Sequence, residues 1–253
     1  MESPKVVRIG CGSAYADDDL DLAMDMIRRG RVTYLSMDSL AERTLSQAQL
    51  RRRIDSSIGF DERLSEIADR VLPEAMDRGV KIIGNMGAAN PRGAGEVLLK
   101  ALREQGRKGK VAVLTGDDVM TTVQKEDPLI LETGEPCSKL TGEVISANAY
   151  VGCSGIVAAL ADGADVVVGG RIADPSLFVG PLAYEFGWSL EDWEMMGRAT
   201  CVAHLLECGV YVTGGNYTDP PYGEVTSLLQ QLIFLMHTRP IHERGIHRND
   251  RSH

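Results

Sequence analysis

The feature that most constrains this chain is a repeated pattern: a short run rich in β-branched residues, a turn of small or polar residues, and a stretch with helical periodicity. Such runs stand at residues 6–9, 32–35, 80–83, 110–114 and 165–168. They are too apolar for a sheet with one face in water, and most are separated by helix-length segments. The pattern predicts an α/β fold with a mostly parallel sheet and helices on both faces, Rossmann-like and doubly wound, rather than an eight-unit barrel.

Helix boundaries are predicted from signals at the helix ends. Residues 17–29 begin with three aspartates, which suit a helix N-terminus both as caps and through the helix dipole. Asn90 before Pro91 predicts another start, because asparagine caps helices and proline fits the first helical turn. Pro73 is expected to kink or divide a helix over residues 62–78, since proline has no backbone N–H to donate.

The repeated pattern weakens in two regions. Residues 125–141 are rich in Pro, Gly and Glu and predict a long loop or small insertion, whereas 211–213 predict a sixth strand. The alternation stops after Gly223, so we predict an α/β domain over residues 1–223 and a divergent, disordered basic tail over 224–253. Four of the five histidines lie in that tail, where binding of a metal or an acidic partner is the alternative to a frayed terminus.

The composition excludes several classes of protein. The formal net charge of −9 argues against general binding to nucleic acid or to a membrane surface, because both need clustered Lys and Arg. No apolar run approaches the roughly 20 residues that span a bilayer. The five cysteines form no CxxC pair, so their spacing predicts no metal site. We therefore expect a cytoplasmic protein that binds a small-molecule substrate, with no cofactor identified by any motif.

Candidate binding residues follow from where ligands lie in open parallel sheets, beyond the carboxyl ends of the strands. Polar side chains that follow predicted strands or lie in polar turns give the substrate-binding candidates Ser13, Asn85, Asn90, Asn148, Arg171 and Asp174. Arg171 has two interpretations. Its guanidinium can bind a carboxylate or phosphate through two parallel hydrogen bonds, or it can pair with Asp174 at the start of the next helix.

Three residues are candidates for catalysis. His204 lies outside the tail, and Glu207 follows three residues later on the same predicted helix face, a pair suited to general acid/base work. The alternative is a partly buried histidine satisfied by a local carboxylate. Asp117 with Asp118 suits metal binding or proton transfer, although adjacent side chains diverge and an aspartate after a strand often caps the following helix.

Gly10 and Gly12 are candidates for cofactor binding. With Ser13 they form a glycine turn after the first predicted strand, as in dinucleotide-binding proteins. The third glycine of that fingerprint is missing, and Asp38 lies slightly late for the ribose contact. A tight strand-to-helix turn without a nucleotide is the alternative.

Taken in order, these turns resemble the acyclic terpene utilisation (AtuA) family over roughly Val6 to Tyr222. The motifs that carry the resemblance are Ile9-Gly10-Cys11-Gly12-Ser13, Asn85 with Asn90-Pro91-Arg92, Gly116-Asp117-Asp118, Asn148-Ala149-Tyr150-Val151-Gly152, Gly170-Arg171-Ile172-Ala173-Asp174, His204-Leu205-Leu206-Glu207-Cys208-Gly209 and Thr213-Gly214-Gly215-Asn216. The resemblance implies a role near the breakdown of acyclic isoprenoids such as citronellol or geraniol, whose intermediates are branched acids and their CoA thioesters. It brings no agreed catalytic residues, and a biosynthetic role stays open.

One departure from the family concerns length. Family members normally continue well beyond the Gly-Gly-Asn motif, whereas this chain ends soon after Tyr222. We therefore expect a truncated N-terminal domain, either active alone or completed by a second copy or a partner subunit, because missing strands would leave a sheet edge exposed.

Three functional hypotheses follow. The first is an enzyme that acts on a branched carboxylic acid or its acyl-CoA by addition–elimination or hydrolysis. In it His204 with Glu207 moves a proton, and Arg171 holds the acid group. The second is a nucleotide-dependent oxidoreductase that uses the turn at Gly10 and Gly12. The third is a catalytically inert subunit that binds a partner.

Overall fold

A five-stranded parallel sheet forms the centre of the computed structural model, which describes residues 5–213. Its strands lie in the order β1-β2-β3-β5-β4, and every pairing is parallel. The strands are β1 Ile9–Ser13, β2 Tyr34–Met37, β3 Lys81–Gly84, β4 Val111–Leu114 and β5 Val166–Gly169. The predicted α/β class and parallel sheet are therefore confirmed.

The segments between the strands are mainly helical. The α-helices are α1 Leu20–Arg29, α2 Glu42–Ile54, α3 Leu64–Glu66, α4 Leu72–Arg78, α5 Pro91–Glu104, α6 Met120–Glu126, α7 Ser154–Ala161, α8 Ser176–Phe186 and α9 Trp193–Glu207. Short 3₁₀ turns occur at Cys137–Lys139 and Gly209–Thr213. Residues 125–141, predicted to be a loop, contain the end of α6 and a hairpin-like bridge between Leu129 and Pro136.

The helices cover both faces of the sheet, as a doubly wound fold requires. Helices α1, α3, α4 and α5 bury apolar side chains on one face together with Leu35 and Ile82 of the strands. Helices α7, α8 and α9 bury theirs on the other face with Tyr34 and Ile83. Because strand residues alternate between faces, neighbours such as Tyr34 and Leu35 enter different cores. Helix α2 lies instead over the carboxyl edge, where Leu45 packs beside residues that follow β3.

The predicted helix ends are largely confirmed. The Asp19 side chain accepts from the backbone N–H of Asp21 at the start of α1, and the Asn90 side chain accepts from Gly93 at the start of α5. Pro73 lies in the first turn of α4, directly after a π-helical stretch at Ile67–Val71. The helix is therefore irregular at the proline but not divided, because helical backbone continues from Leu64 to Arg78.

Two predictions about strands are wrong. The first strand does not end before Gly10 but runs through Ser13, since the missing side chains of Gly10 and Gly12 leave space for the side chains of Met26 and Met37. The sixth strand predicted at residues 211–213 is a 3₁₀ turn. The predicted tail at 224–253 lies outside the described residues. Between residues 5 and 213, no helix is long and apolar enough to cross a membrane.

The loops after β3 and β5 approach each other closely at Gly87, and this contact gives a test of the fold. The Gly87 N–H donates to the carbonyl of Gly169 at 2.9 Å. A Cβ at Gly87 would lie 2.5 Å from that oxygen and 2.7 Å from Pro91 Cα, so neither neighbour can yield without moving backbone. We predict that Gly87→Ala lowers the free energy of unfolding by about 2 kcal/mol, measured by urea denaturation.

Gly197 is the matched control for this substitution. It is exposed inside α9, and a Cβ there would meet nothing within 4 Å. Gly197→Ala should raise the free energy of unfolding by roughly 0.5–1 kcal/mol through helix propensity. Equal effects of the two substitutions would show that the β3 and β5 loops are not in tight contact.

Candidate functional site

The strand connections diverge between β3 and β5, at the carboxyl edge of the sheet. The chain after β3 passes to α5 on one face, whereas the chain after β5 passes to α8 on the other. Ligand crevices form at such reversals in open α/β sheets. A cavity of about 290 Å³ opens at this edge, and α2 forms one of its walls. Its lining includes Tyr15, Asp38, Leu40, Glu42, Arg171 and Asp174.

Asp38 is the most perturbed acid that lines this cavity. It follows β2 and is only 6% exposed, and its carboxyl accepts hydrogen bonds from Asn85 Nδ2 at 2.6 Å and from the Leu40 N–H at 3.3 Å. Burial and the nearby charge of Asp174 raise the pKa of Asp38 to about 7, although its hydrogen bonds and Arg171 offset part of the rise. A group with this pKa exchanges protons readily at neutral pH, which is what general acid/base catalysis needs.

Ser13 and Asn85, both predicted to bind substrate, instead hold Asp38 in place. The Ser13 hydroxyl donates to the Asp38 carbonyl at 2.9 Å. Asn85 is fully buried, and its Oδ1 accepts from the Ser39 N–H at 2.8 Å while its Nδ2 donates to Asp38. Their polar atoms are thus committed within the protein, and they position the loop after β2 rather than line the cavity.

Arg171 is buried and joins several elements at once. Its backbone N–H donates to Asp117 at 2.9 Å, its Nη1 donates to the Leu40 carbonyl at 2.6 Å, and its Nη2 pairs with the Asp174 carboxylate. The guanidinium also stacks on Tyr150, 4.5 Å from the ring centre. Of the two interpretations from the sequence, the pair with Asp174 is present. Most donors of Arg171 are therefore already occupied within the protein.

His204 and Glu207 form the pair predicted from their spacing. His204 Nδ1 lies 2.7 Å from Glu207 Oε1, with the histidine side chain 69% exposed and the glutamate 9% exposed. The alternative interpretation is a partly buried histidine satisfied by a local carboxylate; the carboxylate contact is present, but the buried partner is Glu207 and not His204. Burial and the charge of Asp174 raise the pKa of Glu207, and His204 offsets part of this rise. Through Asp174 the pair is electrostatically coupled to Asp38 and hence to the cavity.

Asp117 and Asn148 lie together at the neighbouring end of β4. Asp117 Oδ2 accepts from the Asn148 side chain at 3.0 Å and from the Arg171 backbone, so its carboxylate fastens β4 to β5. Asp118 turns away and accepts from the Met120 N–H at 3.1 Å, which confirms that the two aspartates diverge. A separate cavity of about 140 Å³ is lined by these residues.

Asn90 also lines that smaller cavity rather than the one beside Asp38. Its side chain caps α5 through Gly93 and donates to the Ile58 carbonyl at 3.1 Å. The sequence candidates therefore divide into two groups, joined through the contact between Asp117 and Arg171. They do not all face one cleft.

Gly10 and Gly12 lie within strand β1, whereas a phosphate-binding turn would have to follow the strand. A Cβ on Gly10 would meet the Met26 side chain at 2.2 Å, and one on Gly12 would meet Met37 at 2.6 Å. These glycines serve close packing inside the protein, so the predicted glycine turn is wrong. The dinucleotide interpretation thereby loses the feature on which it depended.

The sequence predicts no catalytic role for Asp38 and no contact of Glu42 with the site, and it places Tyr150 only within the Asn148–Gly152 motif. The Tyr150 hydroxyl hydrogen-bonds to Glu42 of α2 while its ring stacks on Arg171. The position of Asp38 after a strand was the one available signal, because its burial depends on residues distant in sequence. Within residues 5–213, no group of three or more His, Cys, Asp or Glu side chains is arranged to hold a metal ion.

Comparison with known proteins identifies the family. The profile described as "Acyclic terpene utilisation family protein AtuA" matches residues 7–234, which is most of the chain. This chain therefore belongs to the AtuA family, and the resemblance seen in the sequence motifs is confirmed. No curated protein and no solved structure matches it significantly.

The raised pKa of Asp38 predicts a specific dependence of stability on pH. Its carboxyl titrates near 3.8 in the unfolded chain and near 7 in the folded protein. Between these values the folded state keeps a proton that the unfolded state has lost, so the free energy of unfolding falls as pH rises. The side-chain amide of the Asp38→Asn variant cannot ionise. The free energy of unfolding of the variant minus that of the wild type should therefore rise by about 2 kcal/mol from pH 5 to pH 7, measured by urea denaturation.

Asp55→Asn is the control for this experiment. Asp55 is exposed at the end of α2, and hydrogen bonds from Ser57 lower its pKa, so its titration lies below the tested range. That variant should follow the wild-type pH profile between pH 5 and pH 7. If Asp38→Asn follows it as well, Asp38 does not titrate near neutrality.

Proposed function

We propose that this member of the acyclic terpene utilisation family is an enzyme that adds water to, or eliminates it from, a branched acyclic carboxylic acid or its acyl-CoA thioester. The observation that carries the proposal is the buried Asp38 carboxyl in the wall of a cavity at the carboxyl edge of the sheet. Hydration and dehydration need one group that alternately takes and gives a proton, and a carboxyl with a pKa of about 7 does both near neutral pH.

The shape and chemistry of the cavity support a branched, mainly apolar substrate. Ala14, Tyr15, Leu40 and Ala41 give part of its wall an apolar character, while Asp38 and its neighbours supply the polar part. Apolar linings with a few placed polar groups are typical of small-molecule sites. An acyclic isoprenoid chain would lie against the apolar wall, with its reacting carbon near Asp38.

Proton exchange with solvent is proposed to run through the coupled carboxylates. Asp174 lines the cavity beside Asp38, and its charge influences both Asp38 and Glu207. Glu207 in turn contacts His204, which is exposed. In this scheme Asp38 is the catalytic residue, and His204 with Glu207 restores its protonation state after each turnover. The positive charge of Arg171 reduces the repulsion between Asp38 and Asp174, and its pairing with Asp174 holds the segment after β5 in place.

Addition–elimination is favoured over hydrolysis through a covalent intermediate. Burial raises the pKa of the Cys11 and Cys153 thiols, which keeps them from forming the thiolate that attacks a thioester. The Ser13 hydroxyl is committed to the Asp38 carbonyl, and among residues 5–213 no histidine hydrogen-bonds to it. The oxidoreductase hypothesis lost its glycine turn, so no observation favours it.

The test is turnover of acyclic branched 2-enoic and 3-hydroxy acids and their CoA thioesters, followed by mass spectrometry for gain or loss of one water. We predict that Asp38→Asn lowers kcat by at least about 100-fold with little change in KM, because the variant cannot transfer the proton. His204→Ala should lower kcat less, and added imidazole should restore part of the loss.

Asp55→Asn again serves as the control and should retain wild-type kcat, since its side chain lies on the surface away from the cavity. Unchanged turnover in Asp38→Asn on a verified substrate would remove Asp38 from the mechanism. Absence of any mass change of one water across the panel would contradict the proposed reaction and favour a protein that only binds its ligand.

A further inference from the structure

Helix α2 lines three cavities at the carboxyl edge of the sheet. Glu42, Thr44 and Gln47 form part of the wall of the cavity of about 290 Å³ that Asp38 also lines. The same helix lines two smaller cavities, of about 120 Å³ and about 140 Å³. Asp38 is buried in this arrangement, so the position of α2 governs how far solvent and ligands reach its carboxyl.

Little apolar surface attaches α2 to the rest of the protein. Of its thirteen residues only Leu45, Ala48 and Gln49 are buried, and Leu45 and Ala48 pack in a small cluster outside both cores of the sheet. Helix α1 has ten residues and buries five apolar ones, which are Leu20, Ala23, Met24, Met26 and Ile27. Because burial of apolar side chains supplies most of the stability of a short helix in a protein, α2 is held less firmly than α1.

The other attachments of α2 are polar. Those made by its exposed charged side chains are Glu42 to Tyr150, Arg51 to Glu62 at 2.6 Å, and Arg53 to Glu143 at 2.9 Å. Arg52 Nη1 also donates to the Ala89 carbonyl, and Gln49 Nε2 donates to Asn148 at 3.3 Å. Ion pairs and hydrogen bonds that water can replace add little to stability. These contacts therefore define where α2 lies at low cost for leaving that position.

The chain on either side of α2 suits a hinged segment. Before the helix, the Leu40 carbonyl accepts from Arg171 Nη1 at 2.6 Å and fixes one end. After it, Gly59 has a φ of +106°, a conformation that other residues rarely adopt. A Cβ at Gly59 would lie 2.8 Å from Arg52 Cβ and 3.1 Å from the Ala48 carbonyl oxygen, so the closed position of α2 requires a glycine there. Hinges are a few such positions at the ends of an element.

We propose that α2 is a lid, which opens as a unit between residues 40 and 59 to expose the cavity beside Asp38 and closes over bound substrate. Opening breaks the Leu45 packing and the polar contacts of α2, and it leaves both cores of the sheet intact. Closure keeps water from the reacting groups. The lid itself does not rest on the proposed function, whereas the identity of the molecule that it admits does.

Amide hydrogen exchange of the full chain, followed by ¹⁵N NMR, tests this proposal. The Asn85 side chain is fully buried and its Nδ2 donates to Asp38 at 2.6 Å, so its protons report when water reaches that carboxyl. The reference is the Ile82 N–H, which donates to the Asp165 carbonyl at 3.0 Å inside the sheet. In wild type, the α2 amides and Asn85 Nδ2 should be protected at least about 10-fold less than Ile82, and their exchange should depend less on urea because local opening exposes little surface.

Leu45→Ala weakens the lid without changing the cavity walls, since Leu45 lines none of the three cavities. It should speed exchange of the α2 amides and of Asn85 Nδ2 by about 10-fold. Leu50→Ala is the matched control on the same helix. Leu50 is 52% exposed and also lines none of the three cavities, so exchange at both places should stay as in wild type.

Gly59→Ala provides a second variant if Leu45→Ala does not fold, as judged by its thermal transition. The added methyl group collides with α2 in its closed position, so exchange of the α2 amides and of Asn85 Nδ2 should again be faster, by at least about 3-fold. Gly59 lines none of the three cavities either.

Two results would overturn the proposal. Equal protection and equal urea dependence of Asn85 Nδ2 and Ile82 would mean that only global unfolding exposes Asp38. Faster exchange of α2 in Leu45→Ala without faster exchange at Asn85 would mean that α2 moves without uncovering the site.

Geranate, an acyclic branched 2-enoic acid, separates the lid from the proposed function. Its binding should slow exchange of both the α2 amides and Asn85 Nδ2, because a closed lid holds the ligand. The predicted exchange pattern without any effect of geranate would contradict the proposed substrate class and leave the lid intact.

Discussion

The buried guanidinium of Arg171 is the interaction on which the carboxyl edge of this sheet depends. It follows β5, yet its contacts reach the loop after β2 through the Leu40 carbonyl and the start of α8 through Asp174. Its backbone N–H holds Asp117 after β4. A buried charge is stable only when it is paired and hydrogen-bonded, so these loops are obliged to converge around it. The loops that follow β2, β4 and β5 are thereby held together in one defined arrangement.

That arrangement also explains why the carboxyl groups around Arg171 have raised pKa values. One arginine is surrounded by the carboxyl groups of Asp38, Asp174 and Glu207, and it cannot neutralise all of them. Burial raises the pKa of each, and the charge of Asp174 adds to the rise at Asp38 and Glu207. The edge of the sheet therefore places carboxyl groups of raised pKa beside a cavity with a partly apolar wall.

The architecture was predictable from the sequence because local signals and tertiary structure agree along most of the chain. The β-branched runs became strands, and Asp19 and Asn90 capped the helices that follow. The exceptions have physical causes. Gly10 and Gly12 resemble a turn but continue a strand, because methionine side chains from neighbouring elements fill the space above them.

The candidate site was less predictable, since the properties of its residues arise from distant partners. Arg171 and Asp174 were found from their position after a strand, and their spacing alone predicted the pair. No local pattern distinguishes Asp38 from other aspartates, because its pKa depends on burial under α2 and on Asp174.

Titration of the Asp38 carboxyl carbon by ¹³C NMR, assigned by comparison with Asp38→Asn, measures whether this group exchanges protons near neutral pH. We expect a midpoint near 7, together with a second, smaller response as the neighbouring carboxyl groups titrate. A single midpoint near 4, the usual value for an aspartate, would contradict it, because Asp38 would then be fully ionised at neutral pH and unable to act as the acid.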